Sequence, residues 1–154
     1  MDFSYESLDG PAQRLLDRLL GEGFEIMLDL LPPLGEASLL FEDAGAQQRW
    51  ADFLHRVFSR YQDRVTCYEI GNTPNRGRWS GFSSPGIVMA SYIGREQAKP
   101  FDIRLGGPNV SDFEPLYNAT YLGLLKRLDA APDVHTDTLF VERVIEPVAY
   151  DPRV

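Results

Sequence analysis

Four times along this chain a helix with apolar residues three and four apart yields to a turn and then to a short β-rich run closed by Gly, Pro, Asn or Asp. That alternation is the grammar of βα units, and it limits the fold more than any other feature of the sequence. Helices are expected over residues 11–20, 43–61, 85–97 and 113–128, and strands over residues 24–31, 65–71, 101–105 and 138–145. The second helix is the clearest, because Trp50, Phe53, Leu54, Val57, Phe58 and Tyr61 recur at helical spacing. Leu15, Leu16, Leu19 and Leu20 mark one side of the first helix, with Pro11 suited to its first turn. Ser111 or Asp112 is positioned to cap the fourth. Every connection between strands carries a helix, so the sheet should be parallel.

Strand starts near residues 24, 65, 101 and 138 set a repeat of roughly 35 to 40 residues, against about 31 per unit in a (β/α)8 barrel of about 250 residues. A chain of 154 residues holds four such units and not eight. The expected fold is therefore α/β, with parallel βα repeats forming half of a TIM barrel. It is expected as one partial domain over residues 1–154, a fragment or truncated relative of a longer barrel. A half barrel exposes two strand edges and a face of interior side chains. Either the remainder of a barrel or a second copy in a homo-oligomer is expected to cover them, unless the sheet opens into three layers with helices on both faces.

The net charge of -8 argues against nucleic acid as a partner, since phosphate binding needs a basic face to release counterions. No run of about 18 uncharged apolar residues exists for a membrane span, and the N-terminus lacks the basic-then-apolar plan of a secretory leader. No membrane partner and a cytoplasmic location are expected. The single cysteine, Cys67, falls inside the second predicted strand and reads as a buried packing residue. No cofactor is expected, because Gly106-Gly107 lacks the spacing of a dinucleotide loop and neither a P-loop nor a G-x-S-x-G run occurs. Nor is a metal, since neither His55, on the polar flank of the second helix, nor His135, in a loop, has the set of His, Cys or carboxylate neighbours expected of a zinc site.

The run Val65-Thr66-Cys67-Tyr68-Glu69-Ile70-Gly71-Asn72-Thr73-Pro74-Asn75 is a short apolar strand entering a turn of small polar residues. It resembles the strand-4 signature of the clan A glycoside hydrolases, of the form W/Y-E-I/L/V-G/W-N-E-P-N. Upstream, Trp50, Phe53 and Tyr61-Gln62-Asp63-Arg64-Val65 are similar to the approach to that strand in xylosidase-, iduronidase- and heparanase-like members. The resemblance implies a glycosidase barrel acting on or binding a carbohydrate at the C-terminal ends of its strands. It places the family's general-acid glutamate at Thr73, which cannot donate a proton near neutral pH. It also matches Asn72 to the asparagine that binds the sugar 2-hydroxyl, and Pro74-Asn75 to the end of the motif. The resemblance leans toward a glycoside hydrolase that cleaves O-glycosyl bonds, with its general-acid position lost and hydrolysis open to being impaired or absent; the alternatives are a non-catalytic carbohydrate-binding or scaffold protein and a half-barrel assembly subunit.

In a parallel barrel the strand ends are the place to seek chemistry, and there the sequence offers Asp29, Asn72, Thr73, Asn75, Asn109 and Glu142. A retaining glycosidase needs two carboxyls about 5 to 5.5 Å apart, one donating a proton and one attacking the anomeric carbon. Glu142 is the alternative carboxylate, set against a salt bridge to Arg143 or Arg104. Asp29 is either a substrate contact or half of an ion pair. Glu69 should lie on the opposite side of its strand from Tyr68, Ile70 and Asn72, as a structural carboxylate that Arg104 could neutralise. Arg76, Arg78 and Trp79 follow the signature; an indole face and guanidinium groups suit an acidic sugar, or else they simply anchor and solvate a loop.

Overall fold

A computed structural model describes residues 10–112 and 114–138. The elements run α1 (Pro11–Gly21), β1 (Met27–Leu30), α2 (Leu34–Ala37), α3 (Ala44–Tyr61), β2 (Cys67–Ile70), α4 (Gly77–Ser80), α5 (Ser84–Ala98), β3 (Leu105–Ser111), α6 (Pro115–Arg127) and β4 (Val134–Thr138). The four strands form one sheet in the order β1-β2-β3-β4, and all three pairings are parallel. Sequential parallel order with a helix in every crossover is the arrangement of a βα barrel segment. The expected α/β fold of parallel repeats is the one observed.

The helices cover one face of the sheet, and the core lies between them. From α3 come Trp50, Phe53, Leu54, Val57, Phe58 and Tyr61, all buried, as the helical spacing required. They meet Ile87, Ala90 and Ile93 of α5 and Tyr68 and Ile70 of β2 in one cluster. Trp50 Nε1 donates to the Ala90 carbonyl at 3.2 Å, and Phe58 meets Tyr68 edge-on at 4.9 Å between ring centres. Asp43 caps α3 by accepting from the amides of Gly45 and Ala46, which satisfies two of the four orphan donors of the first turn. α1 is held more lightly: Leu16 and Leu20 pack against the core, while Leu15 is 58% exposed. Asp17 ties α1 to α3 by accepting the Tyr61 hydroxyl at 3.1 Å.

The third repeat departs from expectation. Residues 101–104 precede the strand, and β3 runs through Gly106-Gly107-Pro108-Asn109, the segment read as its closing turn. These glycines serve close packing. A Cβ at Gly106 would sit 3.2 Å from Cys67 Sγ; at Gly107, with φ +141°, it would sit 3.1 Å from the Ile70 carbonyl oxygen. A Cβ at either position would crowd β2, and at Gly107 the backbone conformation itself favours glycine, so the pair suits the close approach of β3 to β2. An irregularity in the β3–β4 register between Pro108 and Val110 leaves Asn109 at φ 53°. β4 begins at Val134, earlier than expected, and residues 139–145 of that predicted strand lie outside the described residues. Neither Ser111 nor Asp112 caps α6: Ser111 ends β3, and Asp112 accepts from Arg76 at 2.8 Å. No helix among the described residues is long and apolar enough to cross a membrane.

Candidate functional site

Opposite the helices, the other sheet face carries Met27 and Asp29 of β1 in register with Cys67 and Glu69 of β2. Side chains at paired positions of a parallel ladder leave the same face, so two carboxylates stand side by side near the C-terminal strand ends. Beyond Ile70 the alternation fails. Gly71 has φ +85°, and a Cβ there would strike Ile87 Cδ1 at 2.5 Å, so the chain turns where only glycine fits. Asn72 consequently swings back to the carboxylate face, against the period-two expectation, and its amide donates to Asp29 Oδ2 at 2.8 Å.

A second amide does the same on the next strand pair. Asn109 Nδ2 donates to Glu69 Oε2 at 2.9 Å, and its Oδ1 accepts the hydroxyl of Thr138 on β4. Asn109, and not Arg104, is therefore the group bonded to Glu69. Thr73, at φ 48°, joins this rim through its backbone: its N–H donates to the Asn109 carbonyl at 3.0 Å, and its own carbonyl accepts from Arg76 at 2.9 Å. Asp29, Asn72, Glu69, Asn109 and Thr138 thus form a polar rim that touches all four strands.

Asn75 is engaged differently. Its Nδ2 donates to the Ser111 carbonyl at 2.7 Å, and its Oδ1 accepts the Ser111 amide at 3.0 Å, so it clasps the β2 loop to the end of β3. Arg76 is held by Asp112 at 2.8 Å and Glu114 at 2.7 Å. Arg78 and Trp79 lie on the single turn of α4, in the loop after β2, and Trp79 is 80% exposed. Glu142 lies outside the described residues. Cys67 is a buried free thiol beneath the rim, pushed up by burial from its ordinary pKa. His55 rests beside Phe101, and His135 contacts Asp137 at 3.1 Å.

Burial is the main cause that raises the Asp29 carboxyl. The Asn72 hydrogen bond pulls it down and the charge of Glu69 pushes it up, and the result is about 6. A carboxyl so placed can keep a proton in mildly acidic solution, where an ordinary aspartate would have lost it. Sequence reasoning treated Glu69 as scaffold and missed its contact with Asn109. The available signal was a glutamate in the middle of an otherwise apolar strand, which must find a hydrogen-bond donor once buried.

No family model matches the sequence, and no curated protein matches it. Among solved structures, the chain is similar to a glucosidase from Croceicoccus marinus, with a TM-score of 0.63 and 16% sequence identity. The likeness covers 79% of this chain and 29% of that one, so the chain spans less than a third of the glucosidase's length. The shared feature is the fold: parallel βα repeats like those of part of a glycosidase barrel.

Proposed function

We propose that this protein binds a carbohydrate at the C-terminal ends of its strands and that its capacity for hydrolysis is impaired or absent. The observation that carries this reading is the pairing of Asn72 with Asp29 at the end of a glycosidase-like sheet. Asn109 supports it from β3, with its amide held toward the same rim. Trp79 supplies an exposed indole face of the kind that stacks on sugar ring hydrogens. Thr73 fills the position where the motif it resembles has its acid, and loss of general-acid assistance costs roughly 10²- to 10⁴-fold in rate. Because Arg76 is already engaged by two carboxylates, Arg78 is the candidate for an acidic sugar substituent.

Calorimetric titration with neutral and acidic oligosaccharides, followed by product analysis, tests the reading. Binding without product, weakened by Asn72→Ala and Trp79→Ala, is the expected result. Turnover of an unactivated alkyl glycoside or oligosaccharide that survives Thr73→Val would contradict the impaired-hydrolysis half, because such leaving groups depend on a general acid. Absence of binding across the panel would remove the carbohydrate half.

A further inference from the structure

Asp29 and Glu69 are register partners on adjacent parallel strands, so their backbones run about 4.8 Å apart and their side chains share a face. Each has one oxygen engaged, Asp29 Oδ2 by Asn72 and Glu69 Oε2 by Asn109. The remaining oxygens, Asp29 Oδ1 and Glu69 Oε1, are both shut away from solvent without a hydrogen-bond partner. Glu69 as a whole is 3% exposed. Two orphaned acceptors on a half-buried and a buried acid are costly when both groups are ionised, because each oxygen lacks a donor and the like charges repel. A single proton removes both penalties at once.

We propose that Asp29 and Glu69 form a one-proton carboxyl pair, in which a single proton is shared between the two partnerless oxygens, Asp29 Oδ1 and Glu69 Oε1. The ligand of this site is a proton, held between β1 and β2. The environment favours Asp29 as the holder, since burial and the Glu69 charge raise its carboxyl to about 6. The other charged groups nearby act farther down the strands. Arg104 and Asp133 act on the Cys67 thiol, which is itself kept protonated by burial. Asn72 and Asn109 hang from the outer oxygens of the pair, so loss of the proton sets two like charges side by side beneath the rim while both amides stay held by their carboxylates. The pair operates whether or not a sugar binds.

Carboxyl-carbon NMR of the full chain, with labelled Asp and Glu, reads the pair directly. One aspartate should titrate about two pH units above the ordinary aspartate value, and its signal should be missing in Asp29→Asn. Glu69→Gln should lower the midpoint of Asp29 by at least one unit, a tenfold change in its acid constant. With Asp29 assigned through its own backbone amide, titration of the unmodified chain decides the matter even if a variant does not fold. An Asp29 midpoint below pH 5 there, or a midpoint unmoved by Glu69→Gln, would overturn the proposal. Because no sugar enters the measurement, neither result bears on carbohydrate binding.

Discussion

Asn72 donates its side-chain amide to Asp29 across the β1–β2 boundary at 2.8 Å, joining residues 43 positions apart at the strand ends. The contact depends on Gly71, whose φ of +85° turns Asn72 out of the strand's alternation. Any residue with a Cβ at position 71 is strained by that conformation and also strikes Ile87. Gly71→Ala should therefore destabilise the fold by about 2 kcal/mol or more. Denaturant unfolding checks this, and Asn72 should lose its protection in the same variant.

Asp29 also sets a pH dependence whose sign is determined. Its folded-state carboxyl holds a proton up to about pH 6, whereas the unfolded carboxyl releases it near 3.8. Between those values the native state binds more protons, so this stabilising contribution is complete below about pH 4 and lost as the pH rises through about 6. The difference amounts to at most about 3 kcal/mol. Asp133 acts in the opposite sense: despite the upward push of burial, the Leu105 amide and Arg95 hold its carboxyl low, so its contribution fades on acidification. Comparing Asp29→Asn with the parent isolates Asp29. The variant keeps an acceptor for Asn72 and gains a donor toward Glu69, and it should be more stable at pH 7 by roughly 1 to 3 kcal/mol. Thermal unfolding across pH 4 to 8 checks both the gain and its disappearance in acid.

Asn75 and Trp79 separate a clasp from a contact. Asn75→Ala removes two hydrogen bonds and strands the amide of Ser111, which is 4% exposed. The expected loss is roughly 1 to 3 kcal/mol of stability. Trp79→Ala removes a side chain that is 80% exposed, so stability should move by no more than about 0.5 kcal/mol. Sugar affinity should nevertheless fall roughly two- to tenfold, the worth of one aromatic stacking contact. Paired unfolding and calorimetric titration read both effects.

Trp50 has no exposed surface and bridges α3 to α5 through Ala90. Trp50→Ala should cost about 3 to 5 kcal/mol, as expected for truncating a large buried aromatic. Urea unfolding midpoints measure it.

The sequence made the helices legible where burial follows one period, as in α3, whose six named apolar residues are all buried. It was less informative where a residue type has two uses. Gly106 and Gly107 carry the usual mark of a turn, yet here they let β3 lie against Cys67 and Ile70, a requirement that belongs to the neighbouring strand and leaves no local trace. The rim was legible as a set of polar residues at strand ends, with Asp29, Asn72 and Asn109 among them. Which amide meets which carboxylate was not, because it depends on register between strands about 40 residues apart and on a left-handed turn at Gly71. Period-two reasoning put Asn72 and Glu69 on opposite sides; the turn brings Asn72 back to the carboxylate face.

The most direct test of the carbohydrate reading is an amide chemical-shift map recorded while oligosaccharides are titrated into the protein. The account predicts shifts that saturate and concentrate at Asp29, Asn72, Thr73, Trp79 and Asn109. Shifts confined to the outer faces of α5 and α6, or none with either neutral or acidic sugars, would contradict it.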